Sequence, residues 1–234
     1  MGALEFIKNA FFPKYCFGCG RLGVYICYQC QKQTVFVDYD LCPYCNNKSF
    51  FGLTHPGCHK NFHLDGLKSF FRYTPLVRKI IKQIKYQLVS EAIVDFLRII
   101  PTSKLEELQL YNKIAAASII IPVPLHRQRL AKRGFNQSTG ISSFFANYLN
   151  QTINEAVLKR TKNTSPQVSF TSARERYLNI RGVFDLNENN LTIIKGKNFV
   201  IVDDVWTTGS TIKEICRLLK RHGAYKVFGL TVAR

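Results

Sequence analysis

The sequence predicts an α/β domain built on a central, mostly parallel sheet, with a small cysteine-rich module at its start. Two apolar runs, SIIIPV from Ser118 to Val123 and FVIV from Phe199 to Val202, have the length and continuity of strands buried on both faces, and helical spacing follows each. Seven of the eight cysteines fall outside that pattern, between residues 16 and 58. With roughly 100–200 residues expected per domain, the 234 residues fit two unequal units, divided as 1–66 and 67–234.

A hydrophobic share of 46% and a charged share of 21% exclude a disordered, collagen-like or coiled-coil chain. No run approaches the roughly 18 apolar residues of a membrane span, and Glu5 and Lys8 interrupt the first apolar stretch. A cytoplasmic protein without a membrane span is expected. Lys and Arg outnumber Asp and Glu by 33 to 15, a formal charge of +18 that attracts polyanions. Residues 1–66 hold six basic and four acidic groups, which leaves 27 against 11 in residues 67–234 and assigns the positive field to the larger unit.

The cysteines of the first unit come as Cys16-x-x-Cys19, Cys27-x-x-Cys30, Cys42-x-x-Cys45 and then Cys58. Paired C-x-x-C turns present two thiolates each to one tetrahedral ion at about 2.3 Å, the geometry of a zinc knuckle. Gly18, Gly20 and Pro43 let the backbone turn tightly inside them. A disulfide scaffold is the alternative, but a reducing compartment favours thiolates and Zn2+. Such a metal replaces a missing core, so its expected role is structural. Cys16, Cys19, Cys27 and Cys30 make a complete set. Cys42, Cys45 and Cys58 leave a second set one ligand short, with His55, His59 or His63 able to complete it, or the set is metal-free; a cross-braced pairing of the first and third knuckles is also open.

In the second unit, LKSFFRY from Leu67 reads as a strand, and Pro75 then opens a helix with apolar positions at Leu76, Ile80, Ile81, Ile84 and Leu88. Arg78, Lys79, Lys82 and Lys85 fill the rest of its circumference and read as a solvated face. The SIIIPV strand empties into PLHRQRLAKRGFNQS, so Val123, Pro124, Leu125, Arg127, Arg129, Lys132 and Arg133 emerge at the strand end where open α/β sheets bind ligands. A helix resumes from Gln137 to Asn150 through Ile141, Phe144, Phe145 and Tyr148. Residues 159–181 are polar and basic with Pro166, and read as a loop able to close over an anionic ligand.

The FVIV strand runs into Asp203 and Asp204, and then VWTTGST turns into a helix through Ile212, Ile215, Cys216, Leu218 and Leu219. Unpaired N–H groups at that helix start, with the positive end of its dipole, favour a phosphate; Gly209 permits close approach and Thr207, Thr208, Ser210 and Thr211 add hydroxyl donors. Two adjacent carboxylates suit a vicinal diol or a Mg2+ ion, and their mutual repulsion argues against a purely structural role. A chance acidic N-cap would explain one Asp but not the pair with the double Thr and the Gly.

VIVDDVWTTGST resembles the signature with which type I phosphoribosyltransferases hold 5-phosphoribosyl 1-diphosphate, with Trp206 standing where a smaller residue is usual. The C-x-x-C knuckles, I-P-V-P-L-x-x-x-R-x-x-x-R-G-F-N-Q-S, and Arg176, Asn179, Arg181 and Phe184 of R-x-x-N-x-R-x-x-F are together similar to the ComF family, over essentially the whole length. The resemblance implies a type I phosphoribosyltransferase fold, a zinc-knuckle start, and handling of incoming single-stranded DNA in natural transformation, with DNA-uptake or recombination proteins as partners. A fourth C-x-x-C is expected in that pattern, whereas Asn61 stands three residues after Cys58.

On that resemblance the 5-phosphate sits on Thr207 to Thr211 and the ribose diol on Asp203 and Asp204 as the catalytic pair. The diphosphate lies near Val123 to Leu125 with Mg2+, its charge offset by Arg127, Arg129 or Lys132. An active enzyme of nucleobase or nucleotide salvage would need an acceptor pocket, which the sequence does not locate. A binding protein that also takes single-stranded DNA is the other reading, supported by basic residues interleaved with Phe135, Tyr148, Phe170 and Tyr177. A zinc-dependent scaffold joining partner proteins is a third.

Overall fold

A computed structural model describes residues 13–86, 90–115, 118–164 and 173–234. Leu88, Pro166 and Phe170 lie outside the described residues. Strands β1 (Gly66–Phe71), β2 (Ile119–Pro122), β5 (Asn198–Val205) and β6 (Lys226–Ala233) form one sheet in the order β1-β6-β5-β2, every pairing parallel. A separate antiparallel pair joins β3 (Leu158–Arg160) to β4 (Phe184–Leu186). Because the four main strands are parallel, their carboxyl ends share one edge, which gathers Arg72, Val123, Trp206 and Arg234.

The β5 strand shows how the two sheet faces divide. Val200 and Val202 face one cluster, with Ile80 and Ile84 of helix α2 (Pro75–Tyr86), Ile93 and Phe96 of α3 (Glu91–Leu97), Leu108 of α4 (Thr102–Ala115) and Phe145 of α6 (Gln137–Leu149). Phe199 and Ile201 face the other, with Ile180 of α7 (Ala173–Ile180), Phe184, and Ile212, Ile215 and Leu219 of α8 (Ser210–Arg221). That alternation follows from the period of two along a strand, and burial on both faces is why the run reads as unbroken apolar sequence.

One gap is filled and two expectations change. Residues Arg127–Arg133, left without an assigned element in the sequence, form a short helix, α5, with Gly134 closing it at a φ of +71°. Residues 159–181 contribute β3's end and α7, because Ile180 finds an apolar site against α8 and Arg160 pairs across to Phe184. The β5 strand extends through both aspartates to Val205, so the carboxylates stand on the sheet's last rungs and not beyond it.

The cysteine-rich segment packs directly on the sheet. Its short helix α1 (Tyr28–Lys32) brings Cys30 against the cluster that also holds Cys16, Phe17, Ile26, Phe70 and Val77. Residues 35–37 run antiparallel to the end of β1: Val37 N–H donates to Phe70 O and Arg72 N–H to Val35 O, both at 2.8 Å, and the Phe36 and Phe71 rings lie 5.0 Å apart. Lys68 of β1, only 2% exposed, ties the layers together through Asp40 at 2.6 Å and Glu107 at 2.8 Å. Among the described residues no helix is long and apolar enough to cross a membrane.

Candidate functional site

The sheet's carboxyl edge between β5 and β2 carries the candidate site. Backbone pairing sets it: Pro122 lies opposite Val202, and Val123 N–H donates to Val202 O at 2.9 Å, so the segment leaving β2 runs beside Asp203. Asn136 locks the next turn back on that segment, its Nδ2 donating to Val123 O at 3.0 Å while its Oδ1 accepts from Ser138 N–H and caps α6. Ser138 Oγ then donates to Asp203 Oδ1 at 3.3 Å. Neither Asn136 nor Ser138 stands out by residue type, but both belong to the R-G-F-N-Q-S stretch.

Adjacent positions on a strand point to opposite faces, and this separates the two aspartates. Asp204 turns towards α2, where its Oδ2 is ion-paired with Lys85. Burial acts to raise the Asp204 carboxyl, but the ammonium beside it prevails and holds it below the usual range; Lys85, against the effect of its own burial, is raised by the same partner. Among the described residues Asp203 has no such partner. Burial, reinforced by the Asp204 charge, pushes its carboxyl up to about 7 despite Lys85. Lys85 therefore leaves the solvated face assigned to it. Its position one residue after buried Ile84 and four after Ile81, at the border of the apolar stripe, is the signal that distinguishes it from exposed Arg78 and Lys82.

Downstream, Thr207 to Thr211 form a tight loop into α8. Gly209 has a φ of +72°, and a Cβ there would meet the Trp206 ring at 2.3 Å, so the glycine is required by both conformation and space. Trp206, the departure from the usual pattern, is buried beneath the loop with Lys213 at 5.2 Å from its ring centre. Thr208 Oγ1 and Ser210 Oγ share a hydrogen bond of 2.7 Å, Lys213 Nζ donates to Thr208 O at 3.3 Å, and no acidic residue occupies the first turn of α8. The helix N-terminus with a cation beside it suits an anion.

Of the basic residues expected beside β2, Arg129 and Arg133 are half-buried on the inner side of α5, whereas Arg127 and Lys132 stay exposed. Pro124 and Leu125 border a cleft of about 490 Å3 with Leu130, Phe135, Asn136 and Glu155. Arg160, at the end of β3, is a further half-buried cation, lowered by burial and then by the charges of Arg129 and Arg133 and raised by that of Asp203. The loop-like composition around it hides its placement.

The cysteines sort in chain order and not crosswise. Cys16, Cys19, Cys27 and Cys30 have their sulfurs within 4.8 Å of one another, and so do the ligand atoms of Cys42, Cys45, His55 and Cys58. All are free thiols. His55 is the fourth member of the second set; His59 instead meets Asp65 at 3.1 Å, and His63 stacks on Tyr44. Both sets fit a metal ion. Burial raises the Cys16 thiol, but N–H groups of Cys27, Cys19 and Gly18 outweigh it and bring it to about 6, favouring the thiolate a metal needs. A Cβ on Gly18 would lie 2.5 Å from Cys30 Sγ, so the turn is shaped around the sulfurs.

Comparison with known proteins agrees with this arrangement. A phosphoribosyl transferase domain matches residues 138–233, which include the aspartate pair and the Thr207–Thr211 loop. DNA utilization protein YhgH of Escherichia coli K12 is 32% identical over 211 residues, covering 86% of this chain and 87% of that protein. Competence protein F of Haemophilus influenzae is 29% identical over 236 residues, 95% of this chain and 99% of that one. Competence protein ComFC of Bacillus subtilis is 22% identical over 219 residues, 89% and 84% of the two chains. The chain thus matches relatives over most of its length, and it belongs to the ComF family of phosphoribosyltransferase-like proteins.

Proposed function

We propose that the protein binds 5-phosphoribosyl 1-diphosphate with Mg2+, and single-stranded DNA, in the DNA uptake or DNA utilization for which its relatives are named. The observation that carries the reading is the placement of Asp203 between the Thr207–Thr211 loop and the basic residues beside β2. The 5-phosphate would rest on the start of α8, and the ribose diol would donate to Asp203. Asp204, paired with Lys85, would fix the position of its neighbour and offer its second oxygen. Since Lys85 holds Asp204, Asp203 is the carboxylate available to Mg2+, directly or through water. Zn2+ in the two cysteine sets is structural in this reading, because both lie in turns that supply few core side chains of their own.

DNA binding draws support from the +18 charge and from aromatic groups among the cations, such as exposed Tyr86 with the Arg133 guanidinium 5.7 Å from its ring centre, and Tyr177. Pentosyl transfer in nucleobase salvage is a second reading, favoured by an Asp203 carboxyl near 7, where it can exchange a proton with an acceptor at neutral pH.

Calorimetric titration of the wild type and of Asp203→Ala/Asp204→Ala with 5-phosphoribosyl 1-diphosphate and Mg2+ tests the site. Binding by the wild type alone is expected; equal binding by both, or by neither, rejects it. Diphosphate release in the presence of candidate bases separates the enzyme from the binding protein. Affinity for an oligothymidylate that falls steeply with salt is expected, and no affinity even at low salt removes DNA from the reading.

A further inference from the structure

The cleft of about 490 Å3 beside β2 has no wall from Asp203, Asp204 or the Thr207–Thr211 loop. Pro124, Leu125, Leu130 and Phe135 make its apolar sides, and Leu130 of α5 is 43% exposed. Mostly apolar walls with a few placed polar groups are the make-up of a small-molecule site. Here the polar groups are Thr139 and Glu155, and backbone pairing beyond the sheet edge places the latter. Ile153 bridges Ile120 in parallel, with Ile120 N–H donating to Thr152 O at 3.0 Å and Asn154 N–H to Ile120 O at 2.9 Å. Asn154 Oδ1 then accepts from Ala156 N–H at 2.9 Å and turns the chain at Glu155. From the first turn of α6, Thr139 donates its hydroxyl to Glu155 Oε2 at 2.8 Å. Among the described residues Glu155 forms no ion pair, in a chain of formal charge +18.

A carboxylate held at the edge of an apolar cleft selects a flat group that carries N–H donors, because it only accepts hydrogen bonds. Thr139 takes one lone pair of Oε2 and leaves Oε1 open. Of the four DNA bases, guanine alone has two adjacent donors on its Watson–Crick edge, N1–H and N2–H, to meet both oxygens. Thymine N3–H lies between two carbonyls, and the amino groups of adenine and cytosine lie beside a ring nitrogen that repels a carboxylate. Single strands leave that edge free for a protein to read. Phe135 and Pro124 offer flat apolar surfaces on which a base can stack. Arg127 is exposed one turn before Leu130 on the same side of α5, where it suits a strand phosphate.

We infer that this cleft takes one base of single-stranded DNA and that Glu155 selects guanine there. The inference rests on the DNA-binding reading above and adds to it a place on the chain and a base preference. Surface charge gives affinity without regard to sequence, whereas a fixed carboxylate gives a preference that charge cannot. The base so held lies outside the ribose-phosphate site. Asn136 stands between the two, bordering the cleft while its side chain holds Val123 O and caps α6.

The experiment measures the affinity of the full chain, wild type and Glu155→Gln, for thymidine oligomers carrying one central guanine, hypoxanthine, adenine, cytosine or thymine. Thermal midpoints check that the variant is folded. The wild type is expected to bind the guanine strand about fivefold to a hundredfold more tightly than the all-thymine strand, the range for a bidentate base contact. Hypoxanthine keeps N1–H but lacks the 2-amino group, and should lose most of that advantage. In Glu155→Gln the guanine-to-thymine ratio should fall to within about twofold, while affinity for the all-thymine strand holds or rises because a negative charge is gone. Equal affinity of the wild type for all five strands overturns the base site. Hypoxanthine bound as tightly as guanine overturns the paired-donor contact. A preference unchanged in Glu155→Gln puts the guanine elsewhere, and an equal loss of every strand marks a structural residue; either overturns the role of Glu155. A wild type that binds no strand even at low salt overturns the DNA-binding reading beneath it.

Discussion

Gly209→Ala perturbs the loop after β5 at the point where two physical demands meet. The backbone φ of +72° costs a residue bearing a Cβ about 1–2 kcal/mol. The new methyl would also stand 2.3 Å from Cη2 and Cζ2 of Trp206 and 2.7 Å from Cζ3. Trp206 cannot swing away freely, being only 5% exposed and packed in the cluster with Ile212 and Ile215, so the overlap adds the cost of overpacking, about 1–3 kcal/mol. Together these give roughly 2–5 kcal/mol. Urea denaturation followed by circular dichroism measures the loss. Trp206→Leu removes the ring but not the positive φ, so in that background the alanine should cost only about 1–2 kcal/mol, and the cycle isolates the steric part. A loss under about 0.5 kcal/mol, or an identical loss in both backgrounds, refutes the reasoning.

Other expectations follow from buried charge and from the thiolate sets. The Asp203 carboxyl sits at about 7 in the fold against 3.8 ordinarily, so the folded chain holds a proton that the unfolded chain has lost, and stability falls as pH rises across that window. Asp203→Asn should therefore raise the thermal midpoint at pH 8, with the gain shrinking towards pH 4; a constant offset would contradict the assignment. Lys68→Met strips Asp40 of its partner and leaves Glu107 with Lys104 alone at 3.6 Å, and because Glu107 is 39% exposed the expected cost is roughly 2–4 kcal/mol, below that of a fully buried pair; adding Asp40→Leu should restore part of it in the same urea titration. Metal analysis of the purified chain should give two zinc ions, with Cys27→Ser and His55→Ala each losing one, whereas His59→Ala and His63→Ala keep both. Chelation should shift the emission of Trp206, the sole tryptophan.

Features written in local sequence were legible, and features created by long-range approach were not. The β5 run, its aspartates and the T-T-G-S-T turn read directly because strand, loop and helix start are contiguous. The first knuckle pair read equally well, whereas the sequence left the fourth ligand of the second set open among His55, His59 and His63, and only the approach of His55 to Cys42, Cys45 and Cys58 chooses between them. Lys85, Ser138 and Arg160 escaped because each owes its role to a residue far away in the chain, two of them to Asp203 and one to Asp204. Composition misled at 173–180, where a polar stretch nonetheless forms a helix once Ile180 can bury itself against α8.

The same logic explains why a cysteine-rich module accompanies this site. The turn holding Cys42 and Cys45 also presents Leu41 O and Asn46 Oδ1, which accept from the Arg234 guanidinium at 3.2 and 3.0 Å. Arg234 lies at the end of β6 with its guanidinium 6.0 Å from the Trp206 ring centre, and Trp206 N–H donates to Ala233 O at 2.8 Å. Trp206 in turn fills the space beneath Gly209. A continuous set of contacts thus runs from the second cysteine set to the Thr207–Thr211 loop, while residues 35–37 and Lys68 fasten the same module to β1. Helix α8 supports the loop from one side only. The cysteine-rich turns meet it from the other side through Arg234, so a metal ion held in them would also steady the floor on which the loop rests.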